Sequence, residues 1–168
     1  MIENFNNLFK DLCYNLKVNK RRFVLGLSGG IDSMALLSLL KNFIILNKNL
    51  RIKVFPVIID HDLRSNSANE ANAVLNIAKN LGFKTIIKKI NIKKPSGNIQ
   101  NWARKERRRI LCDMAFDLSA SLLLGHHSDD QAETIFMRSM KGSGIDGLVG
   151  MQEKIIWNGI SIFRPLIH

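Results

Sequence analysis

Short apolar runs of strand length alternate with segments of helical periodicity along this chain, and the runs read as fully buried rather than half-exposed. Those two observations predict an α/β fold, a parallel sheet with helices on both faces. A third agrees with them. The glycine-rich and charged motifs fall directly after the apolar runs, where ligands of such sheets bind. The chain has 168 residues, 46 % apolar and 23 % charged, which suits one globular domain with a single core.

The elements follow in order. Ile2, Phe5, Leu8, Phe9, Leu12 and Leu16 share one face of an opening helix over 2–18. Phe23 to Leu27 is a short apolar run that ends at Ser28-Gly29-Gly30, hence a strand entering a tight turn. Residues 33–47 carry Met34, Leu36, Leu37, Leu39 and Leu40 with helical spacing. Residues 52–60 form a second strand, although Pro56 removes a ladder donor. Ser67 and Glu70 have capping-box spacing and open a helix to about 81, closed by Gly82. A third strand over 83–90 and a loop lead to Asn98, which can cap a long helix to about 118. Residues 121–125 make a fourth strand. Ser128 with Gln131 is a second capping box, opening a helix to about 141. A glycine-rich stretch follows, and Asn158-Gly159 between two short apolar runs signals a hairpin.

Lys and Arg number 25 against 14 Asp and Glu, a net charge of +11. Such a basic domain points to a polyanionic partner, unless the charge serves only solubility. The two cysteines, Cys13 and Cys112, lack zinc-site spacing, cannot form a disulfide framework, and sit in apolar helical patterns as small core residues. The N-terminus lacks a secretory pattern and no apolar run is long enough to span a bilayer, so a cytoplasmic protein without a membrane partner is expected.

Four stretches carry chemistry. In Ser28-Gly29-Gly30-Ile31-Asp32-Ser33, glycines allow close backbone approach, and amides of the turn and helix start converge on one anion position. Ser28 and Ser33 add hydroxyl donors, while Asp32 or Ser33 could instead serve only as an N-cap. No Lys follows the glycines, so neither GxxxxGK[ST] nor GxGxxG applies. After the second strand, His61 and Arg64 could face phosphate or base, or be ordinary loop residues. In the long helix Arg104, Arg107 and Arg108 share a face suited to phosphates, with Lys105 and Arg109 beside them. After the fourth strand come His126, His127, Asp129, Asp130 and Glu133. These acids could simply favour a helix N-terminus, and the group could also bind a transition metal. Asp130 and Glu133, three apart on one face, could hold an ammonium group and align it for attack.

The motif Ser28 to Ser33 resembles the pyrophosphate loop of the PP-loop ATP pyrophosphatases. The run from Asp60 and His61 through Arg64 to Glu70 resembles DHxLRxxSxxEA, a pattern of the tRNA(Ile)-lysidine synthetase family. Ala103-Arg104 with Arg107 matches that family's ARxxR, except that Arg108 replaces the following Tyr. His126 to Thr134 matches HHxDDQAET, Lys141 to Met151 matches [RK]GSGxxGLxGM, and Arg164-Pro165-Leu166 matches RPL. The chain thus resembles the N-terminal catalytic domain of that family, in order, from Ser28 to Leu166.

The resemblance implies a Rossmann-like PP-loop (adenine nucleotide alpha hydrolase-like) fold, one ATP-binding catalytic domain over 1–168 without the family's usual C-terminal extension. It implies a ligase that adenylates O2 of the wobble cytidine in the CAU-anticodon isoleucine tRNA and lets free L-lysine displace AMP, forming lysidine. By position, Ser28, Gly29, Gly30, Ile31, Asp32 and Ser33 would bind ATP, with Asp32 a candidate ligand of Mg²⁺ carried by ATP. Asp130 and Glu133 would hold the lysine amine, with Asp130 as base, and His127 with Arg104 or Arg107 would stabilise charge on phosphate. The basic surface would meet tRNA, and an oligomer fits as well as a monomer. Rival readings are a nucleotide- or RNA-binding remnant without catalysis, and another PP-loop tRNA-modifying enzyme such as a thiolase. The core positions of both cysteines count against sulfur transfer.

Overall fold

The computed structural model of the chain describes residues 2–17, 20–60, 66–90, 95, 97–128, 130, 132, 135, 140 and 150–167. Six strands form one sheet: β1 (Arg22–Leu27), β2 (Lys53–Asp60), β3 (Ile86–Lys89), β4 (Ser121–Leu124), β5 (Lys154–Trp157) and β6 (Ile160–Phe163), in the spatial order β3-β2-β1-β4-β6-β5. The helices are α1 (Ile2–Tyr14), α2 (Ile31–Leu46), α3 (Ser67–Asn80) and α4 (Ile99–Asp117), with a 3-10 turn at Lys48–Leu50. All pairings are parallel except β5 with β6. The expected parallel α/β sheet is therefore present, with one antiparallel edge strand. Asn158 and Gly159 both have positive φ (47° and 77°), and Trp157 pairs with Ile160 across them. That two-residue turn matches the strand twist and explains the Asn-Gly signal.

The order of strands decides which face each helix covers. The chain steps from β1 to β2 to β3, then returns to place β4 on the far side of β1. Right-handed crossovers in opposite directions put their helices on opposite faces. Accordingly Phe23, Leu25 and Leu27 of β1 pack with α1, α2 and α3, in a cluster holding Phe9, Leu36, Leu40 and Ala78. Val24 points the other way, with Val57 and Leu122 against Leu111, Cys112 and Ala115 of α4. Phe9 of α1 meets Phe5, Phe23 and Phe43 at centroid distances of 5.4, 5.2 and 5.1 Å, tying α1 to both β1 and α2.

Three expectations need correction. The third strand begins at Ile86, not at 83, because its ladder to β2 starts only at Val57. That late start also explains how Pro56 sits in an interior strand, just before β3 begins to pair. Ser67 is not an N-cap. Asn66 precedes α3, makes no side-chain cap bond, and its Oδ1 accepts from Asn69 Nδ2 at 2.7 Å. Asn98 does precede α4, but with φ 48° and without a side-chain cap bond. Beyond β4, Asp130, Ala132, Ile135 and Met140 are helical, as expected for that segment; Ser128, expected as its cap, is itself helical, and Gln131 lies outside the described residues. Among the described residues no helix is long and apolar enough to cross a membrane.

Two glycines permit the close packing at the carboxyl edge of β1 and β4. A Cβ on Gly26 would stand 2.9 Å from Leu111 Cδ1, so α4 rests on bare backbone there. A Cβ on Gly125 would stand 3.0 Å from Ser33 Cα and 3.1 Å from Asp32 O, both backbone atoms that cannot swing aside. Gly125→Ala should cost about 1–3 kcal/mol through overpacking, read by denaturant melts. Phe9→Ala should cost about 3–5 kcal/mol in the same assay, because three ring contacts are lost from a fully buried site.

Candidate active site

Connections leave β1 and β4 in opposite directions, so a crevice opens between their carboxyl ends. The cleft there holds about 650 Å³. Its floor is apolar: Gly26, Val57, Ile59, Leu111 and Leu124. Ser28, Asp32 and Ser33 form one wall, Gln100, Arg104 and Arg107 of α4 the other, and His126, Asp130 and Met151 close the end. An apolar floor between two polar walls suits a flat base with phosphates attached.

The loop after β1 is organised from within. Ser33, 5 % exposed, donates its hydroxyl proton to Gly30 O at 2.9 Å and accepts from Ser28 N at 3.3 Å and Ser28 Oγ at 3.1 Å. Gly30 N in turn approaches Ser28 Oγ at 3.4 Å. Both hydroxyls thus hydrogen-bond within the loop. The outward donors are the amides of Ile31, Asp32 and Ser33, which as the first residues of α2 have no intrahelical acceptor. Gly30, not Asp32 or Ser33, occupies the N-cap position. Gly29 has φ 81°, and a Cβ on it would lie 2.6 Å from Val74 Cγ2, so α3 braces the loop from behind.

Across the cleft, His127 stands between two acids. Its Nε2 lies 3.3 Å from Asp32 Oδ1 and 3.8 Å from Asp130 Oδ2. The His127 backbone N–H also donates to Asp130 Oδ2 at 2.9 Å, so Asp130 reaches back as the acid of a capping box. This role was expected of Gln131. The second carboxylate oxygen of Asp130 remains for the cleft, which that residue lines. A parallel bridge between His127 and Leu166, one residue out of step with the β4–β6 ladder, holds the histidine's backbone.

The α4 arginines divide. Arg109 turns away to Glu106 and Asp113, at 2.9 and 3.1 Å, in surface ion pairs that contribute little. Arg104 and Arg107 line the cleft. Burial, then the charges of Arg104 and Arg108, pull the Arg107 pKa below its ordinary value. His126 is held down to about 4, first by burial and then by Arg164, against a weaker opposing pull from Asp130. Burial pushes Cys13 up to about 12 and Cys112 up to about 11, so both thiols stay protonated core groups, as the sequence indicated.

The structure therefore brings Ser28, Asp32, Ser33, Arg104, Arg107 and Asp130 to one crevice, with His127 beside it against Asp32. Glu133, Asp129, His61, Arg64 and the segment 141–149 lie outside the described residues. Among the described residues no group of three or more His, Cys, Asp or Glu could hold a metal. Sequence reasoning missed Gln100, Gly125 and the placement of His126 in the cleft. Gln100 was readable, since it stands four and seven residues before Arg104 and Arg107 on one helical stripe. Gly125, placed directly after an apolar run, gave no signal of its own.

Comparison with known proteins agrees with this geometry. Residues 1–168 match the PP-loop domain family. The tRNA(Ile)-lysidine synthase of Wolbachia pipientis wMel is 40 % identical over 166 residues, covering 96 % of this chain and 37 % of that protein. That of Orientia tsutsugamushi is 32 % identical over 168 residues, with the same coverage. The chain thus spans little more than a third of the length of these curated relatives. Among solved structures, the U34-tRNA thiolase NcsA from Methanococcus maripaludis, described with its [4Fe-4S] cluster, superposes with a TM-score of 0.68 at 19 % identity, over 86 % of this chain and 52 % of its own. That likeness is one of fold. With the whole length matched and the glycine loop seated at the sheet's switch point, the chain belongs to the PP-loop domain family.

Proposed function

We propose that this chain carries the ATP-dependent ligation of lysine to carbon 2 of the wobble cytidine in CAU-anticodon isoleucine tRNA, as a ligase that forms lysidine through an adenylated tRNA. The observation that carries the reading is the meeting of Asp32, His127 and Asp130 across a cleft walled by a phosphate-type loop and two arginines. The names of the relatives supply the substrate class.

ATP's base lies on the apolar floor and its phosphates face the amides of Ile31, Asp32 and Ser33. The half-exposed Asp32 carboxylate fits Mg²⁺, which keeps waters and takes one carboxylate plus phosphate oxygens; the ion would neutralise phosphate charge. Cytosine O2 attacks the α-phosphorus, and the bond to pyrophosphate breaks with its electron pair leaving on oxygen. Arg104, Arg107 and His127 steady the charge of that step. The ε-amine of lysine then attacks C2, and AMP leaves with the former O2. The free oxygen of Asp130 holds the ammonium, assisted by Glu133, and accepts its proton before attack. Neither buried cysteine is suited to carry sulfur, which favours this reading over a thiolase.

Incorporation of labelled lysine into unmodified CAU-anticodon isoleucine tRNA should require ATP and Mg²⁺. If ATP binds but no lysine enters the tRNA, the chain is a binding module or needs further protein. Asp130→Asn keeps an acceptor for the His127 N–H but loses the base, so incorporation should fall at least about a hundredfold while ATP affinity holds within about threefold. Undiminished incorporation by that variant removes Asp130 from the chemistry.

A further inference from the structure

Arg164 follows β6 and is only 5 % exposed. Its backbone N–H donates to Glu153 O at 2.8 Å, and its Nη1 donates to Gln152 O at 2.6 Å, beside Met151 at the end of the cleft. Its Nε is buried without a hydrogen-bond partner, and so is Nδ1 of His126. Among the described residues no carboxylate forms an ion pair with Arg164. Instead it lies within electrostatic reach of Arg104, Arg108 and His126. A guanidinium stays charged even where burial and like charges lower its pKa. Burying such a charge beside other cations is costly unless an anion accompanies it. Arg164 does not line the cleft, so its field, not its donors, reaches a ligand there.

We propose that Arg164 is an electrostatic positioning residue: buried against the Gln152 carbonyl beside the Met151 end of the cleft, it supplies a fixed positive charge that draws a phosphoryl group toward the α4 wall without touching it. The proposal rests on the nucleotide reading above. It separates two roles that the structure superposes, a charge behind the cleft and a hydrogen bond holding the Gln152 carbonyl. The groups acting on His126 are Arg104 and Arg107 of α4, Asp130 from the helical segment after β4, and Arg164 after β6. Of the charges, Arg164 has the largest effect, and with burial it keeps the imidazole neutral to about pH 4.

Arg164→Lys retains the charge and loses the planar fork; Arg164→Gln retains a donor for Gln152 O and loses the charge. Calorimetric titration with Mg·ATP should show about tenfold weaker binding for Arg164→Gln and a change within about threefold for Arg164→Lys, the scale of a unit charge acting through a partly buried path. In parallel, the His126 midpoint followed by NMR should rise above about 4 in Arg164→Gln, with burial still holding it below the ordinary value, but stay low in Arg164→Lys. Full affinity in Arg164→Gln with loss in Arg164→Lys overturns the proposal in favour of the hydrogen bond. Equal binding by wild type and both variants overturns it outright. If Arg164→Gln does not fold, Arg164→Lys still decides, since loss of affinity there means charge alone is insufficient. A wild type that binds no Mg·ATP overturns the nucleotide reading and this proposal together, an outcome distinct from the others.

Discussion

Backbone meets backbone where β4 ends against the first turn of α2, and the site depends on that contact. Gly125 stands so close to Ser33 and Asp32 that any side chain there would push the two backbones apart. The approach sets the distance from the phosphate-type loop to the residues that follow β4. His127 can then reach Asp32 from the opposite strand, and Asp130 can cap the His127 amide while still lining the cleft. The switch in strand order makes the crevice; the missing Cβ makes it narrow enough for groups on both walls to act on one ligand.

Electrostatics at this edge run against the protein's own stability. Arg104, Arg107, Arg108 and Arg164 act on one another, and only the exposed Arg109 is drawn off by Glu106 and Asp113. Unliganded, such a cluster repels itself. An anion among these charges would offset that repulsion. Sites selected for binding often carry such destabilisation, and the phenylalanine cluster around α1 lies on the opposite face of the sheet, where it stabilises the fold without touching the cleft.

Much of this architecture was legible in the sequence because period and punctuation are local. The alternation of apolar runs and helical stripes gave the α/β order, Asn158-Gly159 gave the hairpin, and Ser28-Gly29-Gly30 gave the tight turn from strand to helix. What escaped was set by partners far away in the chain. The start of the third strand depends on where β2 pairs, so 83–85 read as strand but are not. Ser67 reads as a cap, yet the helix starts one residue earlier relative to it, after Asn66. The hydroxyl of Ser33 turns inward because Ser28 and Gly30 meet it there, which spacing alone does not reveal. The antiparallel sense of β5 follows from the hairpin that returns β6 to pair with β4.

The inward hydroxyls of Ser28 and Ser33 bear on the entropy of binding. A loop whose own hydrogen bonds already hold its shape loses little freedom when a ligand arrives. Amides aimed by such a scaffold need not be gathered at the moment of association, so more of their attraction for an anion would appear as affinity. The same closed network also leaves the loop little room to adapt to anions of another shape, so its discrimination would come from rigidity rather than from a dedicated side chain.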